Sequence, residues 1–231
     1  MPIVPSIPTR CVRPIAADDL LEADDLHAGD LIACWSPGRI GWAISLGTAS
    51  ALGPRGLRWG PSHVAIIADR PTLTGRRERL WVESTSLCRH ACLVRGRPVV
   101  GVQAHRPATR LADYAVAGAA VRRLRPTPIN RLSTDEAALL SHILVQHVLG
   151  TPRPYDLTGA LLSGVSGLSV GLGLGRRLCE LIGADLGDLF CSELAAAVLM
   201  RLGRMNRADP ALFSPARLLR TLVRTGVYEI A

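Results

Sequence analysis

Residues 188–203, Asp-Leu-Phe-Cys-Ser-Glu-Leu-Ala-Ala-Ala-Val-Leu-Met-Arg-Leu-Gly, constrain the fold more than any other stretch of the chain. Cys191, Leu194, Ala195, Val198 and Leu202 recur on one stripe at helical spacing, Asp188 can cap the start, and Gly203 can close the end. A helix so poor in polar residues must be covered by other elements. Cys191 falls in its first turn, where unpaired backbone N–H groups and the positive end of the helix dipole favour thiolates over thiols in general. That makes Cys191 a candidate nucleophile. Cysteine also serves as a small core residue, so the catalytic reading needs a base and an orienting group elsewhere in the chain.

Two apolar segments supply residues of those types. Ser62-His63-Val-Ala-Ile-Ile-Ala68 and Leu80-Trp-Val-Glu83-Ser-Thr read as strands joined by the polar turn 71–78. His63 opens the first, and Glu83 is an acid in the middle of the second, where a charge is unfavourable unless paired or at an edge. Leu31–Trp35 is a further strand after the Gly29-Asp30 turn, and segments 99–105, 119–125 and 227–230 complete the set. Short helices are expected near 40–47, 108–115 and 214–221, and a longer one over 133–150, where Ser133 and Glu136 have capping-box spacing. Trp35, Trp42 and Trp59 could line a substrate groove or fill the core.

Residues 1–28 read as a proline-stiffened arm followed by a short acidic surface helix, and 29–231 as one domain. Within it, 157–187 is a glycine-rich insertion. Its segment 157–175 has nineteen uncharged residues including six glycines, and reads better as a loop with membrane-surface contact than as a spanning helix. Cys88-Arg-His90-Ala-Cys92 holds three soft ligands, but no second ligand pair follows at a metal-site spacing, so a surface loop and no metal are expected.

The net charge of +8 invites a nucleic-acid reading, yet all 27 basic residues are arginine, spread along the chain, and aromatics make up only 4%. Such uniform bias argues against a selected nucleic-acid surface and leaves anionic substrates or lipid headgroups ahead. Six cysteines in a chain this long read as reduced thiols. The proline-rich amino terminus lacks the pattern of a secretory signal, so cytoplasmic residence is the default expectation, with a phage particle or signal-free export left open.

Taken together, Gly29-Asp30-Leu-Ile, Ser62-His63-Val-Ala-Ile-Ile, Trp81-Val-Glu83-Ser, Gly150 to Tyr155-Asp156, Phe190-Cys191-Ser-Glu-Leu and Ser214-Pro215 resemble the circularly permuted papain-like hydrolases of the NlpC superfamily, in the YiiX/YebB-like branch. The resemblance implies an α+β fold, with an antiparallel sheet packed against the cysteine helix. It implies a thiol hydrolase of amide or ester bonds that needs no cofactor, with Cys191 as nucleophile, His63 as general base and Glu83 as orienting group. Tyr155 would assist the oxyanion, with Trp35 and Trp59 along the groove. A peptide-like or acyl-lipid substrate follows. A lipid-directed acyltransferase or phospholipase of the lecithin–retinol-acyltransferase type, and a non-catalytic binding or virion-associated module, are the competing readings.

Overall fold

The computed structural model describes residues 21–36, 38–72, 76–86, 88–150 and 191–231. Six strands, β1 (Leu31–Trp35), β2 (His63–Pro71), β3 (Arg77–Thr85), β4 (Gly101–His105), β5 (Ala120–Pro126) and β6 (Tyr228–Ile230), form one sheet in the order β4-β3-β2-β1-β5-β6. Every pairing is antiparallel. Among the described residues five α-helices accompany it: α1 (Arg39–Gly47), α2 (Pro107–Val116), α3 (Thr134–His142), α4 (Cys191–Arg201) and α5 (Pro215–Arg224). The architecture is thus α+β, as the strand-rich middle and helical flanks predict.

Both faces of the sheet are buried. Alternate strand residues Leu31, Ala33, Val64, Ile66, Leu80 and Val82 share the larger core with α4 and α5, through Leu194, Val198, Leu218 and Leu222. The opposite residues Ile32, Cys34, Ala65, Ile67 and Trp81 form a smaller core, packed with Leu111 and Tyr114 of α2 and with Leu26. Near-continuous apolar runs in β1 and β2 are the sequence signature of this double coverage.

Several local expectations are met. Ser133 and Glu136 exchange the two bonds of a capping box at the start of α3. Gly203 adopts a φ of +69° and ends α4, the Arg204 N–H bonding back to Leu199 O, a closure that residues with a Cβ rarely adopt. Others are revised. Among the described residues of the acidic segment, Ala23–Asp25 form a 3-10 turn, from which Leu26 departs to become fully buried on the smaller core. The helix expected over 133–150 changes to π winding at Ile143–Leu149. A wider turn brings the pairs Ile143, Leu144 and Val148, Leu149, five residues apart, into the same core. Among the described residues no helix is long and apolar enough to cross a membrane.

Candidate active site

His63 is the first residue of β2, opposite Cys34 of β1. The β2–β3 register sets Ile67 against Trp81, so the period of two places His63 and Glu83 on the same face of the sheet. There the His63 Nε2–H donates to Glu83 Oε2 at 2.8 Å. An ionised carboxylate can only accept, which fixes the proton on Nε2 and leaves Nδ1 for another partner. Cys191 lies close enough for its sulfur to act on this imidazole, by charge and by hydrogen bonding, and to raise its pKa. Helix α4 packs its apolar stripe on β2 and β3 from the larger core. Cys191 is the first described residue of α4, and His63 opens β2 within reach of its charge.

The second oxygen of Glu83 is also taken. Arg110 Nε donates to Glu83 Oε1 at 2.6 Å, with the carboxylate wholly buried and the arginine 6% exposed. Arg110 further donates to Asp113 and lies 5.1 Å from the centre of the Tyr114 ring. It comes from α2, which Pro107 opens at its first turn. The site therefore comprises four groups in series, Cys191, His63, Glu83 and Arg110, and sequence reasoning named the first three. The signal for Arg110 was present: it stands beside the apolar positions Pro107, Leu111 and Tyr114 at helical spacing, and a guanidinium on a buried stripe needs a buried carboxylate.

Electrostatics follow from these contacts. Burial alone would lower the His63 pKa, but the charge and hydrogen bond of Cys191, and then those of Glu83, outweigh it and push it up to about 10. Burial alone would raise that of Glu83, but the hydrogen bond and charge of His63, followed by Arg110, hold it down at about 2. Burial would likewise lower that of Arg110, and the charge of Glu83 reverses this. At neutral pH His63, Glu83 and Arg110 thus alternate in charge, with a proton resting on the imidazole.

No family model, curated protein or solved structure matches the chain. The chemistry of the site accordingly rests on its geometry.

The remaining expected site residues divide into two groups. Trp35 and Trp59 are brought together, both half-buried, the Trp35 indole N–H donating to Trp59 O at 3.0 Å. Trp35 directly follows Cys34, the partner of His63, so the pair stands at the same end of the sheet as the imidazole. Tyr155 and the insertion 157–187 lie outside the described residues.

The segment around Cys88 is not the surface loop expected of it. Cys88 and Cys92 are buried; Cys92 Sγ accepts from Ala104 N, and Cys88 Sγ lies 3.4 Å from His105 Nε2. Residues 92–97 turn back on themselves and the Leu93 N–H bonds Ala104 O of β4, which buries these thiols, while His90 stays exposed and bonds Asp113 at 2.9 Å. Glu83, Cys88 and His105 bring three donor atoms within 4.8 Å of one another, a spacing that could hold a metal. Hydrogen bonds already occupy that set. Glu83 serves His63 and Arg110, while His105 Nε2 donates to Gln103 Oε1 at 2.8 Å, the Gln103 amide being oriented by its own bond to Thr85 O.

Proposed function

We propose that the chain is a thiol hydrolase that cleaves an amide or ester bond through a Cys191 acyl-enzyme, on a permuted papain-like fold in which the histidine and acid precede the cysteine. The observation that carries this reading is the buried hydrogen-bonded series His63–Glu83–Arg110 with Cys191 beside the imidazole, whose pKa the sulfur and the carboxylate push up.

In the first half-reaction the Cys191 thiolate attacks the substrate carbonyl carbon. A C–S bond forms, and the carbonyl π electrons move to oxygen. The backbone N–H of Cys191, at the helix start, is the natural donor to that oxyanion. Collapse expels the amine or alcohol, which takes the proton from His63 Nδ1, and a thioester remains. In the second half, water gives a proton to Nδ1 as it adds to the thioester. The C–S bond breaks, the carboxylic acid leaves, and the sulfur and imidazole return to their starting charges. Glu83 keeps the ring in the tautomer that presents Nδ1 to sulfur, and Arg110 keeps Glu83 ionised. The substrate is peptide-like or an acyl lipid; an alcohol or amine in place of water would make the same machinery a lecithin–retinol-acyltransferase-type transferase.

Intact-mass labelling with iodoacetamide between pH 5 and 9 tests the core of this. One thiol should react fast well below the ordinary thiol range, vanish in Cys191→Ser and slow in His63→Ala. Thiols that all react alike, and only near their ordinary range, would overturn catalysis in favour of a non-catalytic binding module. Incubation with amide, ester and acyl-lipid substrates, with and without an alcohol acceptor, then separates hydrolysis from transfer.

A further inference from the structure

Helices α1 and α5 enclose a cleft of about 960 Å³ in which every charged side chain among the described lining residues is an arginine: Arg217, Arg220 and Arg224. They recur at helical spacing on one face of α5, and among the described residues none of them has a carboxylate partner. Arg220 is half-buried and hydrogen-bonded only to backbone oxygens of Thr48, Leu57 and Arg58. Burial, and then the charge of Arg224, push its pKa down. Arg217 bonds Leu212 O and stacks over Phe213, its centre 5.5 Å from the ring. Arg224 has no side-chain partner among the described residues and is exposed.

Three like charges so close repel one another and attract an anion. The same cleft also gathers Leu46, Leu52 and Leu212, three of the large apolar side chains exposed among the described residues, Leu52 with 94% of its surface in solvent. Exposed leucines beside unpaired arginines are what an element at a membrane interface presents: the cations meet anionic headgroups while the apolar side chains enter the acyl boundary. A single-stranded nucleic acid would need stacking platforms, and among the described lining residues Trp42 is the one aromatic.

We propose that the α1–α5 cleft is a membrane-docking surface that binds the headgroups of anionic phospholipids through Arg217, Arg220 and Arg224, with Leu46, Leu52 and Leu212 seated against the acyl region. Docking stands independently of Cys191 chemistry, and it would bring the domain to acyl-lipid substrates.

Co-sedimentation of the full chain with phosphatidylcholine vesicles, with and without phosphatidylserine, tests it. Binding should require phosphatidylserine and weaken as salt rises from 0.1 to 0.5 M. At about 1 kcal/mol per arginine, Arg224→Gln should weaken it roughly fivefold and Arg217→Gln with Arg224→Gln roughly thirtyfold. Leu52→Asn should weaken it without changing the salt dependence. Arg220 is left intact because its backbone bonds hold the loop together, and circular dichroism verifies that the variants fold. Failure of the wild type to bind anionic vesicles, binding by the double variant equal to wild type, or preference for a single-stranded oligonucleotide would each overturn the proposal. Cys191 alkylation in the same samples reads the catalytic proposal separately.

Discussion

Replacing Arg110 with methionine keeps the bulk of the side chain and removes the charge that Glu83 faces at 2.6 Å. Glu83 is wholly buried and held at about 2 against an ordinary 4.5. Such a difference is worth about 3 kcal/mol of stability at neutral pH, shared between His63 and Arg110. Breaking a buried pair by removing one partner also strands the other, at a typical cost of about 3–5 kcal/mol. Arg110→Met should therefore lose about 3 kcal/mol at pH 7, a large part of what a domain of this size has to lose. The pH dependence carries the sign. A carboxyl whose folded pKa is depressed contributes stability that is present above pH 4.5 and lost as pH falls through about 2. In Arg110→Met that pKa rises, so the deficit against wild type is full at pH 7 and shrinks towards pH 4, where a protonated Glu83 no longer needs a guanidinium. Urea denaturation of both proteins at pH 7 and pH 4 reads it. A loss under about 1 kcal/mol at pH 7, or a deficit undiminished at pH 4, would refute the charge argument.

Three further outcomes are expected. The His63 imidazole, followed by NMR, should titrate near 10 in the wild type and move towards 6.5 in Glu83→Gln and further in Cys191→Ser, because the sulfur is the larger upward influence; an unmoved midpoint refutes the coupling. Raised in this way, His63 contributes stability that is complete below pH 6.5 and is lost as pH rises through about 10. Burial pushes the Cys34 and Cys88 thiols up, so brief alkylation of the folded protein at pH 7, mapped by peptide mass, should spare both while modifying Cys191. Gly60→Ala would drive a methyl into Thr48 Oγ1, with Ala216 Cβ only 3.0 Å away, and should cost about 1–3 kcal/mol, read as a lowered Tm.

Cys191, His63 and Glu83 were legible because each is out of keeping with its surroundings: a thiol opening an apolar helix, an imidazole opening an apolar strand, a carboxylate inside one. Arg110 offers no such contrast in a chain whose basic residues are all arginine; only its place on the inner stripe of α2 sets it apart. The strands were legible from runs of Val, Ile and Leu, but a run buried on both faces hides which residues face which core. The opposed placement of Glu83 and the α4 stripe therefore emerges only from the register. Cys88 and Cys92 were misjudged because an aperiodic loop carries no burial signal, and its covering strand pairs by tertiary contact. The π winding of 143–149 was invisible because a five-residue recurrence over one turn looks like an imperfect α stripe.

The order of the chain gives the site a history. His63, Glu83 and Arg110 belong to the first half, and the strands and helix that hold them end by residue 126. Cys191 follows Arg110 by 81 residues, which at about 5–20 residues per second is roughly 4–16 s of synthesis. The residues of the ion triplet are thus all synthesised before the sulfur they are to serve. Not until β6 joins the edge of β5, and the Tyr228 hydroxyl reaches back to Gly29 O at 2.8 Å, are the two ends of the described fold tied together. A ribosome halted before α4 holds a chain in which the base and its two supporting charges are already made and the nucleophile is not.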